Sequence, residues 1–311
     1  MQVEDLAVAF PNRNRAPGEP AQLRAVDGVS FDIKAGEVFG LVGESGSGKT
    51  TLGKAMLRLY RPSEGRIRFA GTDITALDDS GMRPYRRDLQ MIFQDPLSSF
   101  NPRTRIADAV ALPLRLHRLC AGSAVEREVD RLLTRVGLSS RFRKRFPHEM
   151  SGGQLQRVAI ARALALRPRL IVADEPVSKL DVSIRAQILN LFRDLQQETG
   201  VALVFVTHDL LVARYLCDRI GVMFFGRMVE IGPTEALFAQ PGHPYTRQLL
   251  GTIAGEPEGD GAAEPAPPAD ASGCRYRSRC ERADGICAND APALIIAAEH
   301  RRVACHHRLD L

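Results

Sequence analysis

The residues best suited to chemistry form a glycine-rich loop near the start of the chain, Gly43-Glu-Ser-Gly-Ser-Gly48-Lys49-Thr50. This GxxxxGK[ST] pattern follows an apolar strand and precedes a helical pattern, which is the context in which it binds phosphate. Its glycines let several backbone N–H groups point at an anion, and the start of the helix adds partial positive charge. We expect Lys49 to reach the β- and γ-phosphates of a nucleotide and the Thr50 hydroxyl to bind Mg²⁺.

Two carboxylates follow a short apolar strand later in the chain. Leu170–Ala173 are all apolar, and Asp174 and Glu175 come directly after them. In open α/β sheets, ligands bind beyond the carboxyl ends of the strands. Asp174 therefore suits a Mg²⁺ ion and Glu175 suits the polarisation of an attacking water, although a strand that simply ends in acidic turn residues is the simpler alternative. His208 ends another apolar strand, and we expect it to contact the terminal phosphate.

A second candidate anion site lies at Ser151-Gly-Gly-Gln154, directly before a helical pattern. Serine is a favoured N-cap residue, and two glycines expose N–H groups at the helix start. The loop of residues 43–50 already supplies one phosphate site. The segment is therefore either an ordinary helix cap or a site completed by another subunit, and its residues alone favour neither.

Alternating strand and helix patterns must position these motifs. Apolar runs predict strands at Val38–Gly43, Leu170–Ala173, Val201–Thr207 and Asp218–Phe225. Amphipathic patterns predict helices from Lys49 and at Ile106–Leu119, Val125–Val136, Gly153–Leu166 and Val182–Gln197. Parallel strands separated by helices indicate an α/β fold. The first 35 residues and Gly65–Asp73 are typical of antiparallel strands, and residues 96–167 predict a helical subdomain inserted in the α/β core.

The composition argues against a fibrous, disordered or membrane-spanning chain. Hydrophobic residues make up 44% of the 311 residues and charged residues 25%, which is ordinary for a globular protein. No run approaches the roughly 18 to 20 apolar residues of a membrane span. The first residues lack the pattern of a signal peptide. We therefore expect a soluble, intracellular protein.

The net charge is unevenly distributed. The whole chain carries +5, residues 251–273 carry −5 and the last 38 residues carry +2, which leaves +8 on the first 250 residues. A basic surface suits nucleic acid, phosphate or anionic lipid, but aromatic residues do not alternate with Arg and Lys as they do in single-strand binders. Because residues 251–273 are rich in Ala, Pro, Gly and acid, we expect a flexible linker. It would join a domain at 1–250 to a small domain at 274–311.

Four of the six cysteines lie in this last domain, with the spacing Cys274-x5-Cys280-x6-Cys287-x17-Cys305. A reducing cytosol argues against stable disulfides, and four thiolates suit zinc or an iron–sulfur cluster. The absence of a C-x2–4-C pair weakens the zinc interpretation. Four free thiols that pack a small domain are the alternative.

Taken in order, the motifs resemble those of the nucleotide-binding subunit of an ATP-binding-cassette (ABC) transporter. The matching set is Gly43–Thr50, Gln94, Ser151–Gln154, Asp174–Glu175, Ser178–Asp181 and His208. The resemblance covers residues 1 to about 250. It implies a P-loop NTPase (RecA-like) α/β fold with an antiparallel β subdomain and the inserted helical subdomain at 96–167. It also implies ATP and Mg²⁺ as ligands.

The resemblance assigns a role to each motif. It implies that Glu175 is the general base, that His208 is the switch histidine and that Gln94 senses the γ-phosphate. The implied Mg²⁺ ligands are Thr50, Gln94 and Asp174. The implied nucleotide contacts come from Phe10 by stacking and from Gly43, Glu44, Ser45, Gly46, Ser47, Gly48, Lys49, Thr50 and Thr51. Contacts to ATP on the opposite subunit are implied for Ser151, Gly152, Gly153, Gln154 and Asp181.

Further segments resemble the oligopeptide/dipeptide/nickel importer branch, and more closely the second of its two paired ATPases. They are Val42–Thr50, Phe93–Pro102, Ala173–Val177 and Gly242–Thr246. The segment Gly273–Cys280 resembles the C-terminal cysteine motif of peptide-importer ATPases. That likeness implies a [4Fe–4S] cluster on Cys274, Cys280, Cys287 and Cys305, with zinc less favoured.

The branch implies a peripheral ATPase at the cytoplasmic face of the inner membrane. Its implied partners are a paired ATPase subunit, two transmembrane permease subunits and an extracytoplasmic solute-binding protein, with no nucleic acid. Oligopeptides or dipeptides are the expected solute, with nickel, glutathione or a glycan as alternatives; a soluble ABC ATPase without a transport role is the less favoured function. The family's Ser-Ala-Leu-Asp interface loop here contains Lys179, which we hypothesise disfavours a homodimer and is tolerated in a heterodimer.

Overall fold

The structure, a computed structural model, describes residues 1–12, 21–253 and 272–310. Its strands are β1 Gln2–Pro11, β2 Gln22–Asp32, β3 Val38–Val42, β4 Glu64–Phe69, β5 Thr72–Asp73, β6 Leu89–Ile92, β7 Leu170–Asp174, β8 Ala202–Thr207, β9 Arg219–Phe224, β10 Arg227–Pro233, β11 Ile295–Ala298 and β12 Arg301–Val303. Its α-helices are α1 Lys49–Met56, α2 Asp79–Met82, α3 Ile106–Leu116, α4 Ser123–Arg135, α5 Gly152–Leu164, α6 Val182–Thr199, α7 Leu210–Leu216, α8 Thr234–Ala239, α9 Pro244–Ile253 and α10 Gly285–Asn289. Short 3₁₀ turns lie at Leu97–Ser99, Ser140–Lys144, Pro147–Glu149 and Arg277–Arg279.

The predicted strands and helices of the α/β region are present, with ends displaced by a few residues. Helix α6 continues to Thr199, two residues past its predicted end, because Gly200 adopts a left-handed conformation and caps it. Helix α9 continues to Ile253. The first three residues assigned to the linker are therefore helical, and most of the remaining linker lies outside the described residues.

The chain divides into two compact units, of which the first comprises Met1–Lys34, Val38–Ala76 and Val206–Leu311. One sheet of this unit has the strand order β2-β1-β4-β5 with antiparallel pairs throughout. This confirms the antiparallel strands predicted near the start of the chain. Strands β11, β12, β10, β9 and β3 lie side by side in that order in a second sheet, where β3 and β9 run parallel. Every residue of β3 is buried, as its uninterrupted apolar sequence predicts.

The second unit comprises Ala35–Glu37 and Leu77–Phe205. Strands β6 and β7 pair in parallel, and β8 lies on the other side of β7. Helices α3, α4 and α5 pack on one another around Val110, Leu133 and Ile160, which are fully buried. The structure thus contains the helical region that the sequence predicts at 96–167. Among the helices of the described residues, none combines the length and the apolar character needed to cross a membrane.

Candidate functional site

The phosphate loop after β3 has a backbone path that requires glycine at two positions. Gly43 and Gly48 have φ angles of 148° and 100°, where side chains are disfavoured. A Cβ atom on Gly43 would lie 2.2 Å from the carbonyl oxygen of Met223, and one on Gly48 would lie 2.2 Å from that of Ala25. Because both obstacles are backbone atoms, they cannot swing aside. The two glycines therefore let the loop pack closely against neighbouring backbone.

The Lys49 ammonium is held inside this loop. It donates hydrogen bonds to the carbonyl oxygens of Gly43 at 2.8 Å and Glu44 at 2.7 Å, and to Ser47 Oγ at 3.1 Å. The residue is 5% exposed, so these oxygens offset the cost of burying its charge. Helix α1 begins at Lys49 without an acidic residue in its first turn, which leaves its partial positive charge available to an anion. The loop therefore has the chemistry of a phosphate site.

Phe10, the predicted adenine-stacking residue, lies near the end of β1. Its ring packs edge to face on Tyr60, with the ring centres 5.3 Å apart. Phe10 is 36% exposed, so part of the ring remains open to a ligand. The Lys54 ammonium lies 5.4 Å from the centre of the Tyr60 ring. Sequence reasoning missed Tyr60 because a lone tyrosine after a helix carries no recognisable pattern.

In the second unit, the structure brings together two predicted catalytic residues that are 81 positions apart. Gln94 Nε2 donates a hydrogen bond of 2.7 Å to Glu175 Oε2. Glu175 has a φ of 43°, a left-handed conformation that costs energy in a residue other than glycine. The preceding Asp174 ends β7 and is 3% exposed. Strained backbone and converging polar groups are typical of functional sites.

A cleft of about 350 Å³ in the second unit contains this pair. Gln94 and Glu175 line it together with Met150, Gly152 and Lys179. The cleft therefore brings together the predicted catalytic residues, part of the Ser151–Gln154 motif and part of the predicted interface loop.

The Ser151–Gln154 motif forms a capping box at the start of α5. The Gln154 N–H donates to Ser151 Oγ at 3.3 Å, and the Ser151 N–H donates to Gln154 Oε1 at 3.1 Å. A Cβ on Gly153 would lie 2.5 Å from Cγ2 of Ile184, so glycine permits close packing of α5 on α6. Ser151 and Gly152 are exposed. The motif thus caps its helix while presenting its first two residues at the surface.

The other two predicted nucleotide contacts lie at the ends of elements. His208 directly follows β8 and is exposed. Asp209 caps α7 by accepting hydrogen bonds from the N–H groups of Leu211 and Val212, which fixes the backbone beside His208. Asp181 is exposed at the N-cap position of α6. Both side chains can therefore reach a ligand or partner at the surface.

The four C-terminal cysteines lie near one another in the first unit. The Cys274 N–H donates to the Cys287 carbonyl oxygen at 2.8 Å. Burial, together with the nearby Cys274, Cys280 and Cys287, raises the pKa of the Cys305 thiol to about 11. Burial is also the main cause that raises the pKa of Cys274 and Cys280. The fold thus gathers all four predicted metal ligands.

One of these thiols, that of Cys287, belongs to a candidate metal group. Among the described residues, the three-residue group with ligand atoms all within 4.8 Å of one another is Asp284, Cys287 and His307. Four thiolates around one tetrahedral zinc, with Zn–S bonds of about 2.3 Å, would lie about 3.8 Å apart. In the sequence, Asp284 has only a weak signal as a ligand, namely its position three residues before Cys287.

Sequence reasoning also missed two side chains that hold the phosphate loop from distant parts of the first unit. The Glu44 N–H donates to Tyr245 Oη at 3.0 Å. Arg279 donates to both carboxylate oxygens of Glu44, at 3.1 and 3.2 Å. These partners are 201 and 235 positions from Glu44. In the sequence, only a family resemblance distinguishes the segments that contain these partners. The segments are Gly242–Thr246 and Gly273–Cys280.

Comparisons with known proteins agree with this geometry. Residues 26–178 match the ABC transporter family, and residues 229–287 match the oligopeptide/dipeptide transporter C-terminal region. The oligopeptide transport ATP-binding protein AppF of Bacillus subtilis (strain 168) is 43% identical over 320 residues, which cover 98% of this chain and 96% of AppF.

Solved structures show the same likeness. The ATP-binding cassette MJ0796, in a dimeric post-hydrolysis state bound to ADP and Pi, matches with a TM-score of 0.68 and 31% identity over 75% of this chain and 98% of that chain. CbiO1 from Clostridium perfringens, part of the cbiONQ ABC transporter complex, matches with a TM-score of 0.66 and 28% identity over 76% of this chain and 90% of that chain.

The chain belongs to the ABC transporter family, as one of its ATP-binding proteins with the oligopeptide/dipeptide transporter C-terminal region. It has the P-loop ABC ATPase fold, and its ATP hydrolysis is coupled to transport. Family membership implies ATP and Mg²⁺ as ligands, dimerisation, membrane permease partners and association with a membrane.

Proposed function

We propose that the chain hydrolyses ATP to power a membrane importer of oligopeptides or dipeptides. The observation that carries this proposal is a likeness to a peptide-transport ATPase over nearly the whole chain, 98% in the comparison with AppF. The match at residues 229–287 to the oligopeptide/dipeptide transporter C-terminal region supports the same class of solute.

The loop of residues 43–50, with Thr51, binds the phosphates of ATP in this proposal. The fixed Lys49 ammonium and the required glycines support that role. Thr50, Gln94 and Asp174 hold Mg²⁺, a hard cation that prefers oxygen ligands, and the buried carboxylate of Asp174 suits it. Phe10 stacks on the adenine, for which its partly exposed ring is suited.

Glu175 acts as the general base for hydrolysis. Its carboxylate accepts a proton from the attacking water while the water oxygen bonds to the γ-phosphorus and the bond to the β–γ bridging oxygen breaks. The hydrogen bond from Gln94 orients this carboxylate. His208 contacts the γ-phosphate and stabilises the charge that it carries in the transition state.

Residues of a second ATPase subunit complete the ATP-binding site in this proposal. Ser151, Gly152, Gly153, Gln154 and Asp181 contact the nucleotide on the opposite subunit. The exposure of Ser151, Gly152 and Asp181 supports this role. The partner is a different ATPase chain, because Lys179 adds exposed charge to the loop that would meet its own copy.

The assembly comprises the paired ATPases, two transmembrane permease subunits and an extracytoplasmic solute-binding protein. The chain works at the cytoplasmic face of the inner membrane, as a peripheral subunit. Affinity purification from native membranes tests this composition. We expect permease subunits, a second ATPase and a solute-binding protein with a bound peptide. Stable association with ribosomes or DNA, without membrane subunits, would overturn the proposal.

Cys274, Cys280, Cys287 and Cys305 carry a [4Fe–4S] cluster in this proposal. The closeness of the Cys305 thiol to Cys274, Cys280 and Cys287 supports this assignment, because four cysteine thiolates hold such a cluster. Such a cluster would tie together the backbone segments that bear the cysteines. Anaerobic purification should yield iron, sulfide and visible absorbance. A sample that contains zinc, or no metal at all, would contradict the assignment.

A further inference from the structure

One arginine of the C-terminal segment, residues 274–310, reaches the phosphate loop directly. Arg279 Nη1 lies 3.1 and 3.2 Å from the two carboxylate oxygens of Glu44. The Arg279 side chain is 17% exposed, and its guanidinium lies 5.6 Å from the centre of the Phe224 ring. Arg279 is therefore packed against the aromatic core of the first unit, whereas the Glu44 side chain is 38% exposed.

The residues around Arg279 hold it in place. Tyr276 is 4% exposed, and its ring centre lies 5.4 Å from that of Phe224 and 5.5 Å from that of Tyr245. Tyr276 Oη donates to Gln248 Oε1 at 2.8 Å. Because Tyr245 Oη in turn accepts the N–H of Glu44, one aromatic cluster supports both the backbone and the side-chain contact of Glu44.

A second path joins the same segment to the far end of the loop. Arg275 Nη2 lies 2.6 Å from Asp27 Oδ2, and their side chains are 8% and 11% exposed. The Asp27 N–H donates to the Gly226 carbonyl oxygen at 2.9 Å, and the Gly226 N–H donates to the Ser47 carbonyl oxygen at 2.8 Å. The C-terminal segment therefore supports the loop at Glu44 and at Ser47.

The charge of Glu44 matters because it lies in the loop that binds phosphate. An uncompensated carboxylate there would repel the phosphates of a nucleotide. We infer that Arg279 is a positioning residue that neutralises and fixes Glu44, so that the C-terminal segment sets the affinity of the chain for ATP. The inference rests on the proposed binding of ATP phosphates by residues 43–50.

Equilibrium titration of the full-length chain with a fluorescent ATP analogue tests this inference at low ionic strength. We expect Arg279→Gln to raise Kd about fivefold, which corresponds to about 1 kcal/mol, and Arg279→Lys to recover most of the affinity. Arg282→Gln is the matched control, because it removes the same charge from the same segment but its guanidinium faces the Arg308 carbonyl oxygen. This control should keep the wild-type Kd.

The decisive variant is the double substitution Glu44→Gln with Arg279→Gln. It removes the unpaired carboxylate and should restore Kd to within about twofold of the wild-type value, which a purely structural role of Arg279 does not predict. Either of two results overturns the inference: a wild-type Kd for Arg279→Gln, or a Kd of the double variant as high as that of Arg279→Gln. Should Arg279→Gln fail to fold, Arg279→Met takes its place, alone and combined with Glu44→Gln, and the same two results overturn the inference.

A separate variant distinguishes this inference from the proposed function. Lys49→Ala should abolish binding of the analogue. If Lys49→Ala binds the analogue as the wild type does, the assignment of residues 43–50 as the phosphate site is wrong. If Lys49→Ala loses binding while Arg279→Gln keeps it unchanged, only the role of Arg279 is wrong.

Discussion

Glu175, the proposed general base, has a conformation fixed by its surroundings. It follows a buried strand, adopts a φ of 43° and accepts a 2.7 Å hydrogen bond from Gln94. The backbone strain and the hydrogen bond together fix the direction of the carboxylate, which is what a general base needs. The neighbouring Asp174 differs from it in being almost fully buried, as suits a metal ligand.

The substitution Glu175→Gln tests the base directly. It keeps the shape and the hydrogen-bonding capacity of the side chain but removes its ability to accept a proton. We expect the ATP hydrolysis rate of the assembled transporter to fall at least about 100-fold, while the affinity for ATP remains within about twofold. Glu198→Gln, which alters a surface ion pair with Arg135, is the control. Near-normal hydrolysis by Glu175→Gln would remove Glu175 from this role.

Within the first unit, a buried ion pair joins strand β10 to the C-terminal segment. Arg301 Nη2 lies 2.7 Å from Glu230 Oε1, and the Glu230 side chain has no exposed surface. Glu230 also accepts the N–H groups of Gly242 and His243, at 2.9 Å each. One carboxylate therefore holds both β12 and the start of α9.

Loss of Arg301 should weaken this connection strongly. Arg301→Gln leaves the buried Glu230 charge without its cation, which costs about 3 to 5 kcal/mol. We expect a lower urea midpoint and faster hydrogen exchange in β12. Arg302→Gln changes the neighbouring residue of the same strand and should have a much smaller effect. Equal midpoints for the two variants would contradict the importance of the pair.

His243, just before α9, makes the stability depend on pH. Burial lowers its pKa to about 4, and its Nδ1 accepts the Tyr245 N–H at 3.0 Å. An unfolded histidine titrates near pH 6.5, so between these values the unfolded chain binds the extra proton. The His243 contribution is therefore complete above about pH 6.5 and falls by about 3 kcal/mol as the pH drops towards 4.

Melting temperatures between pH 7 and pH 4.5 measure this effect. We expect His243→Gln to show a flatter pH dependence than the wild type. His300→Gln, at a side chain that is 73% exposed, should keep the wild-type slope. A His243→Gln slope equal to that of the wild type would show that other groups cause the acid sensitivity.

The sequence predicts the elements whose signals are local. Strand β3 and the first four residues of β7 are uninterrupted apolar runs. The loop of residues 43–50 is recognisable by its spacing, so the positions of all three follow from the sequence alone. Contacts between distant segments do not. Arg279 and Glu44 are 235 positions apart, and Arg301 and Glu230 are 71 apart; arginine and glutamate are too common for a pattern to pair them. The Gln94–Glu175 hydrogen bond likewise emerges only when the chain is folded.

At the scale of the whole molecule, each unit carries some of the residues proposed to act on ATP. The first holds the phosphate loop and the C-terminal segment, and the second holds Gln94, Glu175 and the exposed start of α5. The family membership accounts for the membrane partners that such an ATPase requires.

Subunit pairing is predicted to depend on Lys179. Lys179→Ala removes a charge from the loop proposed to lie at the ATPase interface, so we expect the isolated chain to dimerise with itself more readily in ATP. Sedimentation of the hydrolysis-deficient Glu175→Gln background, with and without Lys179→Ala, measures this. Unchanged self-association and an unchanged ATPase rate in the Lys179→Ala transporter would refute the hypothesis.

The most direct test of the central claim is peptide uptake into proteoliposomes that contain the purified transporter with this chain. We predict ATP-dependent accumulation of a labelled di- or oligopeptide with the wild-type chain and none above background with Glu175→Gln. Robust ATP hydrolysis without uptake of any peptide, in the presence of the solute-binding protein, would contradict the assignment of this ATPase to peptide import.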